Sequence, residues 1–226
     1  MNHFEVPGEL HSKLNPKLWD GEHLKTKVAV ALLKIAKAYY EFLGVNAPVI
    51  DVVMSGSQSN FNYSSHSDID LHLIMPYEHV QCDMEVIKLF DTKRKLWKEQ
   101  HDISIFGIPV EVYVEDEANP AISSTYSIVK SKWISPPEKL DIKTNPVEIE
   151  QLALTWIKAI TAAIKTQDLE QCEMVKTLLW AYRKAGLAKE GEMGISNLTF
   201  KALRNSGITQ MLLDAVHKLD DRKLSL

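Results

Sequence analysis

The two segments that decide the fold are Pro48-Val-Ile-Asp-Val-Val-Met-Ser-Gly-Ser57 and Asp68-Ile-Asp-Leu-His-Leu-Ile-Met75. The first is short and rich in β-branched residues and stops at a Gly-Ser pair, which predicts a buried strand over residues 48–54 followed by a tight turn. The second alternates with a period of two, so its two aspartates and its histidine share one face of a strand over residues 68–75. Ile69, Leu71 and Leu73 take the opposite face.

Asp68 and Asp70 point the same way from this strand, which brings two carboxylates close together. Their mutual repulsion is relieved when a cation lies between them. Hard oxygen ligands favour Mg²⁺ or Mn²⁺, and a third carboxylate from a neighbouring strand would complete a site for two ions. Two such ions can activate an attacking hydroxyl and neutralise a leaving pyrophosphate in an in-line displacement.

A third alternating strand, Ile108-Pro-Val-Glu-Val-Tyr-Val114, supplies the candidate for that third carboxylate. Glu111 lies between two valines inside the strand, where backbone pairing could hold it opposite Asp70. Glu115 has the same strand parity and is the runner-up ligand. We therefore expect Asp68, Asp70 and Glu111 to be both the metal ligands and the catalytic residues.

The Gly-Ser pair after the first strand is suited to phosphate. Gly56 allows backbone amides to approach a phosphate closely, and the Ser57 hydroxyl adds a donor. Taken singly, a Gly-Ser pair or an Asp-x-Asp motif is weak evidence, but their order and spacing together are much more specific.

In this order and spacing the chain resembles the DNA polymerase beta superfamily of nucleotidyltransferases, whose pattern is a strand, Gly-Ser, about ten residues, Asp-x-Asp on a strand, and a later strand with Asp or Glu. The resemblance covers residues 22–116. It implies an α+β fold, a mixed sheet with flanking helices followed by a C-terminal helical domain. It also implies metal coordination by Asp68 and Asp70, phosphate binding at Gly56 and Ser57, and activation of an acceptor hydroxyl by Glu111. The chain departs from the pattern at Gln58, where members often have a basic residue nearby.

Helical periodicity completes the predicted organisation. Prolines concentrate between residues 136 and 146, which predicts a boundary between a catalytic domain, 1–135, and a helical domain, 146–226, that closes the nucleotide cleft. The predicted helices span 22–43, 78–101, 147–166, 169–186, 196–205 and 208–220, with glycines such as Gly186 separating those of the C-terminal domain.

Further contacts to the nucleoside triphosphate are expected outside the three strands. Ser67 precedes the aspartate pair, and Tyr126 could stack on a base, although core packing explains it equally well. Lys176 and Lys201 could supply the basic charge that the Gly-Ser loop lacks, although a solvated helix face is the commoner place for each.

Composition limits the function classes. The chain has 226 residues, a net charge of −4 and 45% apolar residues, which is typical of a globular protein and argues against an extended nucleic-acid clamp. The first 25 residues lack a signal-peptide pattern, and no apolar stretch is long enough to span a membrane. Two cysteines outside any metal-binding motif fit a reducing cytoplasm.

The resulting expectation is a cytoplasmic enzyme that transfers a nucleoside monophosphate from a triphosphate such as ATP to an acceptor hydroxyl. The acceptor could be a small molecule, an RNA end, a protein side chain or a second nucleotide. A zinc site using His66 or His72 is disfavoured because the spacing does not fit. The alternative class is a catalytically inactive nucleotide-binding or antitoxin-like regulatory protein with the same fold, which retention of all three carboxylates disfavours.

Overall fold

A computed structural model of the chain describes residues 11–80, 85–118, 124–138 and 145–225. The chain divides into two compact units, Leu10–Leu140 and a second that contains Asp141–Leu226. A mixed sheet lies in the first unit, and six α-helices are distributed over the described part of both. These elements confirm the predicted α+β class.

Eight strands occupy the described part of the first unit: β1 Trp19–Asp20, β2 His23–Leu24, β3 Asp51–Ser55, β4 Ile69–Met75, β5 Ser104–Ile105, β6 Ile108–Asp116, β7 Thr125–Ser127 and β8 Lys132–Ser135. β1 and β2 form a two-stranded ribbon, and the other six form a sheet in the order β5-β6-β4-β3-β7-β8. β4 and β6 are parallel, whereas the remaining neighbours are antiparallel. Parallel strands need a crossover, and the helix Val86–Gln100 lies in the connection between β4 and β6.

One face of the sheet carries the hydrophobic core of this unit. Helix α1, Thr26–Leu43, and the crossover helix, α2, bury their apolar faces in that core. Tyr39 of α1 meets Trp97 of α2 edge to face, with ring centroids 5.3 Å apart. The buried side chains of the strands and helices in this core include Val52, Met54, Ile69, Leu71, Leu73, Val112, Val28, Leu32, Ala36, Tyr39, Phe90 and Trp97.

The opposite face of the sheet is polar. In the strand register, Ser55 lies beside Asp70, and Asp70 lies beside Glu111. His72 and Tyr113 form the next pair along β4 and β6. Directly paired residues on neighbouring strands point to the same face, so the alternation of β4 sends Ile69, Leu71 and Leu73 to the core and Asp70 and His72 to this face.

Two helices of this unit begin later than the sequence pattern predicts. The helix predicted from residue 22 begins at Thr26, because residues 19–24 form the ribbon, which is closed by a hydrogen bond from the Lys25 amide to the Leu18 carbonyl. The helix predicted from residue 78 begins at Val86, since Pro76 is followed by a single 3₁₀ turn at Tyr77–His79. Residues 81–84 lie outside the described part of the chain.

The second unit contains four α-helices in its described residues: α3 Pro146–Thr166, α4 Leu169–Glu190, α5 Ile195–Asn205 and α6 Ile208–Leu224. Asn145 and Asp168 cap α3 and α4 by accepting hydrogen bonds from backbone amides of the first turn, at Glu148 and Gln171. Leu179, Phe200 and other apolar side chains from all four helices form a separate core. Among the described residues, no helix is long and apolar enough to cross a membrane.

Gly186 was predicted to end a helix, and this prediction is wrong, because α4 continues to Glu190. Gly186 is buried, and a Cβ atom at this position would lie 2.2 Å from the Cβ of Ser196 in α5. The glycine therefore serves the close approach of two helices and does not mark a chain turn.

Candidate metal centre

Asp68, Asp70 and Glu111 meet on the polar face of the sheet. Each offers a carboxylate oxygen, and the three oxygens lie within 4.8 Å of one another. Asp70 and Glu111 are direct neighbours in the parallel register of β4 and β6, and Asp68 immediately precedes β4. All three side chains are half-buried. Three carboxylates this close repel one another unless a cation binds between them, and oxygen-only donors fit Mg²⁺ or Mn²⁺.

Glu111 is held by two donors. Lys98 of α2 forms an ion pair with one carboxylate oxygen, and the Tyr113 hydroxyl donates to the other at 2.6 Å. Burial raises the pKa of Glu111, but the hydrogen bonds from Lys98 and Tyr113, with the charge of Arg94, lower it below its usual value. The group is thus a carboxylate near neutral pH, the state needed to bind a cation or to accept a proton.

Tyr113 is a fixed donor at this centre. Its pKa is strongly raised by burial and by the negative charges of Asp70 and Glu111, so its hydroxyl keeps its proton. The ring stacks on His72 with centroids 4.9 Å apart, and the Arg94 guanidinium lies 5.1 Å from the ring centroid. These contacts orient the hydroxyl toward Glu111.

The loop after β3 passes directly beside Asp70. Gly56 has a φ of +74°, and a Cβ atom there would lie 2.0 Å from an Asp70 carboxylate oxygen. A 3₁₀ turn at Ser57–Ser59 comes next. Only glycine combines this backbone conformation with such a close approach. The loop that was predicted to bind phosphate is therefore adjacent to the carboxylates.

Gln58, the departure from the family pattern, is a buried structural residue of this loop. Its amide oxygen accepts from Asn15 at 2.9 Å, and its amide nitrogen donates to the Ser67 carbonyl at 3.2 Å. The Trp19 indole donates to its backbone carbonyl at 2.8 Å. Gln58 thus connects the loop to the segment that leads into Asp68.

A second polar group lies further along the same face. The Ser55 hydroxyl and His72 Nε2 are 2.8 Å apart, and His72 Nδ1 lies 2.9 Å from a carboxylate oxygen of Glu115. Glu115, the runner-up ligand, therefore contacts His72 and is not among the three clustered carboxylates. The contacts of His72 with Ser55 and Glu115 were not predicted, because they depend on strand register.

The other predicted nucleotide contacts lie in different surroundings. The Ser67 hydroxyl accepts from the Ser64 amide at 2.9 Å and so stabilises its own turn. Tyr126 is a core residue, because it pairs with Met54 on the apolar face and its ring meets Trp19 and Trp133. It is not brought to the carboxylates.

Lys176 and Lys201 belong to the helical unit. Lys176 forms an ion pair with Glu173 at 2.7 Å on α4, and Lys201 lies on α5. Their contact with a triphosphate stays a prediction. His66, the other histidine considered as a ligand, is exposed and lies 3.1 Å from the Ser65 hydroxyl. Within the described ranges the carboxylate triad is the one group with metal-ligand geometry.

No protein-family model and no curated protein matches this chain. Among solved structures, it is similar to the STING-associated CdnE c-di-GMP synthase from Capnocytophaga granulosa, with 12% sequence identity, coverage of 90% of this chain and 70% of that chain, and a TM-score of 0.23. A similarity at this TM-score does not establish a function, so the residues of the site are the basis for assigning one.

Proposed function

We propose that this chain is a metal-dependent nucleotidyltransferase, which transfers a nucleoside monophosphate from a nucleoside triphosphate to an acceptor hydroxyl and releases pyrophosphate. The observation that carries the proposal is the cluster of Asp68, Asp70 and Glu111 within 4.8 Å, on neighbouring strands and beside the Gly56 loop. The reaction needs a carboxylate cluster for the metal ions beside a loop whose backbone can come close to the phosphates, and these residues supply that arrangement.

Different residues of the site would bind the metal ions, bind the phosphates and accept the proton. Asp68, Asp70 and Glu111 would hold divalent cations, which when bound neutralise the phosphate oxygens and the leaving pyrophosphate. The Ser57 amide and hydroxyl would hold the phosphates, whereas the amides of Ser59 and Asn60 donate to the carbonyls of Gly56 and Ser57 within the turn. Glu111, kept ionised by Lys98 and Tyr113, would accept the proton of the acceptor hydroxyl.

The test is release of pyrophosphate from each of the four nucleoside triphosphates, with Mg²⁺ or Mn²⁺ and a panel of hydroxyl acceptors. Wild-type protein should turn over at least one triphosphate. Asp68→Asn and Asp70→Asn should abolish turnover and leave melting of the metal-free protein unchanged or slightly higher, because each substitution removes like-charge repulsion. Near wild-type pyrophosphate release by either variant would show that the metal assignment is wrong.

A catalytically inactive nucleotide-binding or antitoxin-like regulatory protein is the second candidate. It is favoured by one observation, the ion pair of Lys98 with Glu111, because a lysine at this position offsets one of the three carboxylate charges without a metal. Such a protein would bind a triphosphate equally well with EDTA and with Mg²⁺ and would release no pyrophosphate. A Mg²⁺-dependent affinity together with turnover would exclude it.

A further inference from the structure

A pocket opens beside Glu111, on the side of β6 that faces α2. Its volume is about 250 Å³, and its wall includes Arg94, Trp97, Lys98, His101 and Glu111. All of these residues belong to the unit Leu10–Leu140. The pocket is smaller than the cavities of about 300–1,000 Å³ that enclose drug-sized ligands, so it fits a small compound or the terminal group of a larger one.

The walls of this pocket combine an apolar surface with two basic side chains, those of Arg94 and Lys98. The rings of Trp97 and His101 stack with centroids 3.7 Å apart, and Val110 and Val112 line the strand side. Lys98 lines the pocket, and its side chain is 69% exposed although it is paired with Glu111.

Arg94 is held in place by a hydrogen bond to Asp91 and has further N–H donors that could bind a ligand. One guanidinium nitrogen donates to Asp91 at 2.8 Å, while the guanidinium plane lies over the Tyr113 ring. A planar guanidinium has five N–H donors, so the bond to Asp91 leaves others for a phosphate or carboxylate. An arginine and a lysine that flank an apolar pocket form a site for an anionic group.

We propose that this pocket binds the acceptor, and that the acceptor is a small hydroxyl compound that carries a phosphate or carboxylate group. The inference rests on the proposed nucleotidyltransferase function. Arg94 and Lys98 would bind the anionic group and so hold the hydroxyl at Glu111, the residue that both lines the pocket and belongs to the carboxylate cluster.

The transfer step balances with these residues. The acceptor oxygen forms a bond to the α-phosphorus of the triphosphate, and the bond from that phosphorus to the oxygen bridging to the β-phosphate breaks. Pyrophosphate leaves with the electron pair, and the hydroxyl proton passes to the Glu111 carboxylate. An acceptor bound in this pocket would lie next to Glu111, the residue proposed to accept its hydroxyl proton.

The first experiment compares matched acceptors with α-³²P-labelled triphosphate and Mg²⁺. Three sets of acceptors each contain a neutral compound and its anionic relatives. They are glycerol with glycerol 3-phosphate and glycerate, ribose with ribose 5-phosphate, and adenosine with AMP. In at least one set the anionic member should be used with a kcat/KM at least about tenfold above that of the neutral member, the effect of a charge-assisted hydrogen bond. Glycerate and glycerol 3-phosphate separate carboxylate from phosphate as the recognised group. Equal use of the neutral members in every set would overturn the proposal.

Variants then test whether Arg94 and Lys98 cause the preference. Arg94→Met and Lys98→Met should reduce it by about tenfold each, whereas Lys98→Arg should retain most of it because it keeps the charge and a donor for the anion. Lys95→Met is the matched control, since Lys95 lies on the same helix, pairs with Asp91 at 2.8 Å and is not part of the pocket wall. The control should leave the preference unchanged. A preference equally sensitive to Lys95→Met would show general attraction by the helix and overturn the pocket assignment.

Failure of this inference can be told apart from failure of the proposed function. Binding of glycerol 3-phosphate, ribose 5-phosphate and AMP to metal-free protein, measured by calorimetry, needs no turnover. If no triphosphate is turned over with any acceptor, the proposed function is wrong, and loss of binding in Lys98→Met but not Lys95→Met would still support an anion pocket. If triphosphates are turned over and no anion binds, the pocket assignment alone is wrong.

Discussion

Gly56 shows how much the candidate site depends on a single residue. Its φ of +74° is unfavourable for any residue with a side chain, and its missing Cβ leaves room for the Asp70 carboxylate, which would be 2.0 Å away. Gly56→Ala should therefore lower both stability and activity. We expect the free energy of unfolding to fall by more than the roughly 1–2 kcal/mol that a left-handed backbone alone costs, and triphosphate binding to be lost, measured by urea denaturation and calorimetry.

Gly44 provides the matched control for this prediction. It follows α1 with a φ of +66°, and nothing lies within 4 Å of a Cβ built on it. Gly44→Ala should therefore show only the cost of the left-handed backbone, about 1–2 kcal/mol, and bind nucleotide normally. If the two variants lose the same stability and both bind nucleotide, the close approach of the Gly56 loop to Asp70 has no functional meaning.

At the scale of the element, the register of β6 favours Glu111 over Glu115 as the glutamate of the proposed reaction. Its register pairs Glu111 with Asp70, and Glu115 lies in contact with His72. Glu111→Gln should lower kcat by about 100-fold or more with little change in triphosphate affinity, because it removes a proton acceptor from the chemical step. Glu115→Gln should do little to kcat, since Glu115 contacts His72 and is not one of the three clustered carboxylates.

Single-turnover kinetics at saturating Mg²⁺, on variants with wild-type circular dichroism, separate the two roles of these glutamates. The reverse order of damage would move the catalytic carboxylate to Glu115. A fall in triphosphate affinity without a fall in kcat for Glu111→Gln would assign Glu111 to binding and not to proton transfer.

Gly186 of helix α4 has a different role in the structure from the one that its place in the sequence predicts. In an exposed helix, Gly→Ala stabilises by about 1 kcal/mol. Gly186→Ala should instead destabilise, because its Cβ would lie 2.2 Å from that of Ser196. Thermal denaturation should show the loss, and the double variant Gly186→Ala/Ser196→Gly should recover part of it. A more stable single variant would contradict the close helix contact.

The same elements show what the sequence could predict. Alternation in β4 and β6 depends on each strand alone, so the faces of Asp70 and Glu111 follow from local periodicity. The starts of α1 and α2 were missed, because the ribbon before Thr26 and the 3₁₀ turn after Pro76 compete with helix in segments of similar composition.

Contacts between distant segments could not be predicted. The sequence showed only that Gln58 stands where a basic residue is common, whereas in the structure its side-chain amide joins Asn15 to the Ser67 carbonyl. Tyr126 was a candidate base contact, but the pairing of β7 with β3 turns it toward Trp19 in the core. Such roles depend on which strands become neighbours, and periodicity within one segment carries no information about that.

At the scale of the whole molecule, charge is unevenly distributed. The chain has a net charge of −4, yet α2 is rich in basic residues and adjoins the carboxylate cluster through Lys98. An acidic cluster beside a basic helix can attract both a divalent cation and an anionic substrate. Higher ionic strength should weaken the attraction of the anionic substrate more than the close-range coordination of the metal. The charged residues of α2 are Lys88, Asp91, Lys93, Arg94, Lys95, Lys98 and Glu99.

Thermal stability of the whole chain reports on whether metal and triphosphate share one site. If the carboxylates and the Gly56 loop bind them together, each completes the ligand shell of the other, and Mg²⁺ with triphosphate should raise Tm by more than the sum of the separate shifts. Saturation at 100-fold above Kd stabilises by about 2.7 kcal/mol, and a chain of this size gains about 2–4 °C per kcal/mol, so a shift of roughly 5–10 °C is expected.

Asp70→Asn is the control for this measurement, because it removes a carboxylate from the cluster and should abolish the excess shift while Tm of the free protein stays the same or rises slightly. Differential scanning fluorimetry with Mg²⁺ alone, triphosphate with EDTA, and both together gives the comparison. Shifts that simply add in the wild type would mean that metal and triphosphate bind at separate sites. An excess shift that survives in Asp70→Asn would mean that they bind together without this carboxylate, so that the cluster does not hold the metal of the metal–nucleotide complex.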